Sequence, residues 1–383
     1  MELIPMKSVD VPAKVSKSEY IFWIDLMKGS AIIGIVLFHL FQNYPDPSNV
    51  IQTLARIGAK IGFAGVDIFF LIAGFNISYS FCKKGVREFK FPQFNWLAWL
   101  TARGKRLYPT YFLACLFVLL TYWVSAYQVC SPLTPNFWLS LSGLTGYIFQ
   151  CFNPGFWFFT VILEAYLITP ILFSVTNGNL NKLLILTFFL ATTTKILCYV
   201  FPESSAAYGF VLQNNFIGSY IGQYGLGLYL GIDYFNSSSQ FSKTSLYFTV
   251  ASSVVALILY IQLSMSGQDF RYMAGFDLVF TPALFFTAYY LCKTVFVNFK
   301  AWPIFRELDI AVRWTGQQSY QIYLVHQPLL FVILAPMVSW IKFDDHVEVL
   351  SVCLVALILL TFYVYLFISL ERQLNRLALK KIS

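Results

Sequence analysis

A histidine and a lysine share one face of the first long apolar segment of the chain. Lys28 and His39 are 11 positions apart, and at about 100° per residue a helix returns to within roughly 20° of its starting direction over that distance. The two side chains are then separated by about 16 Å along the helix axis, and Asp25 falls on nearly the same stripe. A cation and a titratable imidazole on one stripe indicate a polar path through the protein, in which His39 could act as a general base. A histidine at such a position could equally make a hydrogen bond between packed helices.

Three further ionisable residues occur in other apolar segments. Asp67, Glu164 and His326 each interrupt a run of hydrophobic residues, and in the topology given below all three fall in the middle or outer half of the membrane. Ionisable groups are costly in hydrocarbon and therefore point to function, although structural hydrogen bonds between helices would explain one or two of them. We predict a site in which Asp67 or Glu164 orients His39, because a carboxylate fixes the tautomer of a neighbouring imidazole.

A basic run lies at the start of another apolar segment. Arg103 and Arg106 are three residues apart, so in a helix they share a face. Paired guanidinium groups are well suited to bind phosphates such as those of an acyl-CoA. The same run could simply mark the cytoplasmic side of a membrane protein.

Other polar residues carry weaker signals. Lys195 and Asp277 could pair structurally or line an access path for a polar acceptor, and Gln213-Asn214-Asn215 could do either. His346 follows two aspartates and is expected to be solvated.

The composition assigns the chain to the polytopic membrane proteins. Of 383 residues, 58% are hydrophobic and only 11% are charged, and apolar runs of bilayer length recur. We predict an all-α membrane helix bundle of about ten transmembrane helices, preceded by a cytoplasmic tail (1–20), extending over 21–371 and followed by a second cytoplasmic tail (372–383). The start of the chain lacks the features of a cleaved secretory signal. The predicted spans are 21–43, 61–82, 107–128, 156–176, 182–201, 209–232, 245–264, 274–295, 317–341 and 347–370.

The distribution of lysine and arginine sets the orientation. With both termini in the cytoplasm, the cytoplasmic segments hold 20 of these residues and the outer segments hold four, as the positive-inside rule requires. The net charge of +8 is therefore explained by topology, and we expect no nucleic-acid partner.

The seven cysteines show no metal-ligand spacing, and we expect no metal. Cys130 and Cys151 fall in or beside a long outer loop, where they could form a disulfide or remain two free thiols. The chain shows no internal repeat, Gly-rich phosphate loop or second domain.

Five blocks together resemble the acyltransferase-3 family of multipass membrane O-acyltransferases. The chain departs from the family pattern at Lys28, where arginine is usual, and at Ala73, where serine is common. Lysine keeps the charge but loses the planar guanidinium fork. In chain order the blocks are Asp25-Leu-Met-Lys28-Gly29 through His39, Gly65-Val66-Asp67-Ile68-Phe69-Phe70 through Gly74-Phe75, Arg103-x-x-Arg106-Leu-Tyr108-Pro109, Trp157 through Glu164 to Pro170, and Ser319-Tyr320 through Tyr323 to His326-x-Pro328.

The resemblance implies transfer of an acyl group, usually acetyl, from cytoplasmic acetyl-CoA to a hydroxyl of an extracytoplasmic or lipid-linked glycan such as O-antigen, capsule or peptidoglycan. Acetyl-CoA would be a donor substrate, with no cofactor bound permanently. The implied donor-binding residues are Lys28, Arg103, Arg106 and Tyr108, and the implied catalytic residues are His39, Asp67, Glu164 and His326. The family's usual setting is a bacterial inner membrane.

Two other functions fit the same residues. A secondary transporter would use the intramembrane groups as a proton relay, although such proteins commonly show inverted repeats. A non-catalytic subunit of an envelope assembly would use them for packing alone. Oligomeric state, acceptor and acyl length are not determined by the sequence.

Overall fold

The structure is a computed structural model, which describes residues 21–45, 49–84, 95–144, 146, 151–201, 216–238, 240–265, 277–299, 302–341 and 345–380. Over these ranges the secondary structure is helical, because a chain in hydrocarbon must pair its backbone polar groups within each segment. A short 3₁₀ helix, Pro154–Phe156, precedes α5. The helices are α1 Phe22–Gln42, α2 Asn49–Lys83, α3 Trp96–Val124, α4 Pro135–Ser142, α5 Trp157–Val175, α6 Leu180–Val200, α7 Ile217–Asn236, α8 Lys243–Met265, α9 Asp277–Phe299, α10 Pro303–Gln317, α11 Ser319–Trp340 and α12 Asp345–Lys380.

Each of the ten predicted spans falls on one of these helices. Within the described part of the chain, eight helices are long and apolar enough to cross a membrane, and α7 and α8 are the two others that were predicted as spans. The prediction of an all-α polytopic bundle is confirmed. The number of ten spans and the location of the termini remain predictions.

Several helix boundaries differ from the sequence prediction, and α2 begins at Asn49, twelve residues before its predicted span. Helix α3 begins at Trp96, eleven residues before the predicted span, because the side chain of Asn95 accepts a hydrogen bond from the Ala98 N–H at 2.9 Å and caps the helix. Arg103 and Arg106 therefore lie inside the helix, one turn apart. At the other end of the chain, α12 continues to Lys380, so most of the predicted tail 372–383 is helical, while the predicted tail 1–20 lies outside the described residues.

Two short helices, α4 and α10, were not predicted. Helix α10 carries several charged residues and so does not resemble a span, but it packs closely on α1. The backbone of Gly316 lies against that of Asp25, and the Gln317 side-chain amide donates to the Asp25 carboxylate at 3.1 Å. These contacts hold the first turn of α1 against the end of α10.

The segment between α3 and α5 is cross-linked. Cys130 and Cys151 form a disulfide, which decides between the two alternatives that the sequence left open. The Tyr122 hydroxyl also donates to the carbonyl of Phe152 at 2.9 Å. This hydrogen bond joins the residue after Cys151 to the last part of α3.

Helix α7 lies at the centre of the bundle. Sixteen of its 20 residues are buried, and it packs against α2 at Gly74 and Gly227, where a β-carbon on either residue would overlap the partner's backbone. Small residues at a helix interface allow this close approach in membranes.

Candidate active site

A cavity of about 450 Å³ opens among α1, α2, α3, α5, α11 and α12. It lies toward the end of the bundle at which α1, α3 and α11 begin and α2, α5 and α12 end, which we call the inner end and which the charge distribution predicts to face the cytoplasm. The residues that line it include Lys28, Arg103, Lys105 and Arg106. The structure therefore brings together three of the four residues predicted to bind a donor.

Two of the cations of the cavity, Lys28 and Arg103, have close partners. The Lys28 ammonium lies 3.9 Å from an oxygen of Asp25 on the preceding turn. The Arg103 guanidinium lies over the rings of Trp99 and Tyr166, at 5.4 and 5.9 Å from the ring centroids, an arrangement that attracts and orients a planar cation. A cavity with fixed cations of this kind can bind a phosphorylated ligand.

Tyr108 is the fourth predicted donor-binding residue, and it is placed elsewhere. Its neighbours Leu107 and Pro109 line the cavity, whereas Tyr108 is not among the lining residues that the structure describes. Its ring packs edge-on against Phe159, with 5.1 Å between centroids.

One acidic residue of the cavity was missed in the sequence. Glu371 of α12 lines the cavity, where it accepts hydrogen bonds from the Thr110 hydroxyl and, at 3.1 Å, from the Gln321 side-chain amide. Glu371 directly follows the last predicted span, where a charge is ordinarily solvated, so its position in the sequence did not indicate a site. The partners on α3 and α11 fix this carboxylate among the cations.

Three aromatic rings line the far end of the cavity. Phe69, Phe158 and Tyr323 are the lining residues of α2, α5 and α11 that lie farthest from the inner end. The centroid of Phe158 lies 4.7 Å from that of Tyr323 and 6.1 Å from that of Phe69. We call these three rings the aromatic roof.

A pair of histidines lies beyond the roof. The ring of His326 is one helical turn past Tyr323, with 5.8 Å between centroids, and the ring of His39 lies 5.2 Å from that of His326. Two residues that the sequence predicted to be catalytic, on helices separated by almost 300 residues, are therefore adjacent.

The contacts of His326 define its tautomer. This side chain is fully buried, and Nδ1 lies 2.9 Å from the Tyr323 carbonyl oxygen and 3.1 Å from that of Ile322. A carbonyl only accepts hydrogen bonds, so Nδ1 carries the proton and Nε2 of the neutral ring carries a lone pair. Within the described part of the chain Nε2 has no hydrogen-bond partner.

His39 is half-buried and contacts two glutamines. Its Nδ1 lies 3.2 Å from the Gln42 side-chain oxygen and 3.2 Å from the Gln327 side-chain nitrogen. Nδ1 can either donate to the Gln42 oxygen or accept from the Gln327 amide, and in the tautomer that donates to Gln42, Nε2 carries the lone pair that a base requires. Both glutamines were missed, although Gln42 follows His39 by one helical turn and Gln327 is next to His326.

The hydrogen bonds of the described residues give the two carboxylates partners other than His39, and their pairing with His39 stays a prediction. The Asp67 carboxylate accepts a hydrogen bond from the Thr281 hydroxyl at 2.9 Å, and the Glu164 carboxylate accepts one from the Ile217 N–H at 2.8 Å. Glu164 thereby caps the first turn of α7, a position that favours negative charge. Among the described residues, the side-chain hydrogen-bond partners of His39 are the amides of Gln42 and Gln327.

Asp67 instead belongs to a second group of polar residues, which we call the buried ion cluster: Asp67, Lys195, Gln223, Asp277 and Thr281. The Lys195 ammonium lies 3.2 Å from an oxygen of Asp277, which also accepts from the Gln223 amide at 2.5 Å. All five residues are at least nine-tenths buried, and they come from four helices, α2, α6, α7 and α9. Lys195 and Asp277 thus form the structural pair that was one of their two expected roles, while 213–215 lie outside the described residues.

Comparison with protein families gives one match, and comparison with curated proteins and with solved structures gives none. Residues 21–369 match the acyltransferase domain of the acyltransferase-3 family, a range that contains the cavity residues up to α11, the aromatic roof and both histidines. The chain therefore belongs to the acyltransferase-3 family of membrane acyltransferases.

Proposed function

We propose that the protein transfers an acetyl group from cytoplasmic acetyl-CoA to a hydroxyl of an extracytoplasmic or lipid-linked glycan. The observation that carries the proposal is the order of three neighbouring features. From the inner end outward these are a cation-lined cavity, the aromatic roof and the histidine pair. A donor bound with its phosphates at the cations points its thioester toward the histidines.

The donor is bound through its phosphates. Lys28, Arg103 and Arg106 bind the phosphate oxygens, since hydrogen bonds between charged groups are the strongest that a protein can offer an anion. The pantetheine arm then runs along the cavity toward the roof. Lys28 and His39 are separated by about 16 Å on α1, a distance that an extended arm of this length can span.

His39 is the general base in the transfer step. Its Nε2 takes the proton of the acceptor hydroxyl while the oxygen forms a bond to the thioester carbonyl carbon. The carbon–sulfur bond of the resulting tetrahedral intermediate then breaks, and the CoA sulfur leaves with the proton returned by the His39 imidazolium. The products are the acetyl ester and free CoA, and Gln42 stabilises the imidazolium by accepting from Nδ1.

His326 holds the acceptor hydroxyl beside His39. With Nδ1–H donated to backbone carbonyls, the neutral ring can accept a hydrogen bond at Nε2 but cannot donate one to the thioester carbonyl. This assigns His326 to the acceptor side of the reaction and not to stabilisation of the oxyanion.

The apolar helices support a membrane location, and the family supports acyl transfer, to which we add a glycan as the proposed acceptor. The histidine pair lies beyond the roof, away from the inner end, so an acceptor would approach from the opposite side of the membrane. We place the protein in a bacterial inner membrane, with lipid-linked or surface glycans as its acceptors.

The test is transfer of labelled acetyl from acetyl-CoA to envelope glycans in membranes that carry the wild type, His39→Ala or His346→Ala at matched protein levels. His346 is exposed at the start of α12 and provides a control with the same chemical change. We expect label in the glycan with the wild type and the control, and a loss of at least about a hundredfold with His39→Ala. Equal labelling by all three would remove His39 from the reaction, and uptake of a solute without acyl-CoA would favour a transporter.

A further inference from the structure

The aromatic roof separates the cavity from the histidines. Phe158 and Tyr323 both line the cavity, and both are more than nine-tenths buried. Beyond Tyr323 the next ring on the same helix is that of His326. A thioester that reaches the histidines from the cavity must therefore pass between the rings of the roof or be held among them.

The roof is closed by ring contacts. Rings whose centroids are 4.7 Å apart, as in Phe158 and Tyr323, are in van der Waals contact. Behind the roof, Phe158 also packs on Phe70, with 5.1 Å between centroids. The rings are thus supported by further aromatic residues, and each added carbon of an acyl chain must displace packed atoms.

We propose that the aromatic roof sets the length of the acyl chain, and that Phe158 is the residue that excludes acyl groups longer than acetyl. The inference rests on the proposed function, because it concerns the donor of that reaction. Phe158 is a specificity-determining residue that contacts the acyl group and takes no part in proton transfer.

The size of the effect can be stated from known selectivities. One added methylene in an apolar pocket changes the selectivity of an enzyme by about 10–200-fold. Butyryl differs from acetyl by two methylenes, so the wild type is expected to prefer acetyl-CoA over butyryl-CoA by about a hundredfold or more. Replacement of the Phe158 ring by a methyl group leaves space for the longer chain.

The test compares two donors with one acceptor preparation. Purified protein in nanodiscs, supplied with lipid-linked glycan extracted from the source cells, is given acetyl-CoA or butyryl-CoA, and the release of CoA thiol and the mass of the acylated glycan are measured. We expect Phe158→Ala to lower the ratio of acetyl to butyryl transfer at least about tenfold. The ratio does not depend on the amount of active protein.

The chain offers a matched control on the same helix. Phe173 of α5 is fully buried but contacts Phe81 and Trp96 away from the cavity, so Phe173→Ala should leave the ratio unchanged. Should Phe158→Ala fail to yield a folded protein, Phe158→Leu and Phe69→Ala open the same roof with less loss of packing and must shift the ratio in the same direction.

The outcomes separate this inference from the proposed function. Efficient butyryl transfer by the wild type, or an unchanged ratio in the folded roof variants, overturns the role of the roof while acetyl transfer stands. A wild type that transfers neither acyl group to the glycan overturns the proposed function and this inference with it.

Discussion

Two regions of the molecule hold ionisable side chains inside apolar helices, and they differ in what those side chains contact. In the buried ion cluster, a lysine and a carboxylate lie 3.2 Å apart and hydroxyl and amide donors bind the carboxylates. In the line from the cavity to the histidines, cations line an open space, and the rings of His39 and His326 lie 5.2 Å apart.

The contacts of an ionisable group inside the membrane indicate its role. A lysine that lies beside a carboxylate in the interior stabilises the packing of the helices that carry them, whereas cations that line an open cavity are available to a ligand. Asp67 and Glu164 look as functional as His39 in the sequence, and only their partners separate them.

The largest effect on acetyl transfer is expected at His326. His326→Ala removes the acceptor Nε2 that positions the hydroxyl and should lower acetyl transfer by about a hundredfold. Binding of acetyl-CoA, measured by calorimetry, should be unchanged, because His326 does not line the cavity. Loss of donor binding together with transfer would mean that His326 supports the fold and not the reaction.

The next largest effect is expected in the buried ion cluster and concerns stability. Lys195→Met leaves Asp277 buried without its cation, which should lower the free energy of unfolding by about 3–5 kcal/mol. Acetyl transfer per folded molecule should stay within about twofold of the wild type. Chemical denaturation and transfer assays on the same samples measure both quantities.

A double substitution tests whether the loss of stability comes from the unpaired charge of Asp277. Lys195→Met with Asp277→Leu removes both charges, and such replacements are often neutral. The double variant should be more stable than Lys195→Met alone. A Lys195→Met protein that is stable but has lost acetyl transfer would show that the buried ion cluster takes part in the reaction. The two regions would then not differ in the role proposed for them.

A smaller effect is expected at the cations of the cavity. Replacing Arg103 or Arg106 by alanine should raise the KM for acetyl-CoA by about ten- to a hundredfold with little change in kcat, since a hydrogen bond to a charged group contributes about 1.5–3 kcal/mol. The exposed Arg306 of α10 provides the control. An unchanged KM in both cavity variants would show that the phosphates bind elsewhere.

The smallest effect, and one of opposite sign, is expected at Glu371. Glu371→Gln removes a negative charge from the phosphate site and keeps groups that can bond to Thr110 and Gln321. The KM for acetyl-CoA should fall by about two- to fivefold, a change within the range of a solvent-screened charge interaction. Glu307→Gln on the exposed face of α10 should have no effect, and a higher KM for Glu371→Gln would assign the carboxylate to donor binding.

Hydropathy predicted the membrane helices because apolar length is a local property. Each predicted span lies on a helix, but the start of α3 was placed at residue 107, since a run of charges ordinarily ends a span. Asn95 starts the helix earlier, and Arg103 is accommodated within it by the rings of Trp99 and Tyr166.

The composition of the candidate site was predicted better than its contacts. The spacing of Lys28 and His39 and the family blocks selected residues that do line the cavity or form the histidine pair. The partners of Asp67 and Glu164 could not be predicted, because they lie on helices far along the chain and depend on which helices pack together. Glu371 and Gln327 gave no signal of their own, since a glutamate after a span and a glutamine within one are common.

The most direct test of the line from cavity to histidines is a structure of the protein with an acetyl-CoA analogue in which a methylene replaces the thioester sulfur. We predict the phosphates at Lys28, Arg103 and Arg106, the arm along the cavity, and the analogue's carbonyl carbon at the aromatic roof with its acyl group against Phe158, close enough to His39 for an acceptor oxygen at about 3–3.5 Å from that carbon to reach its Nε2. An analogue bound with its carbonyl away from both histidines, or outside the cavity, would contradict the proposed path of the donor.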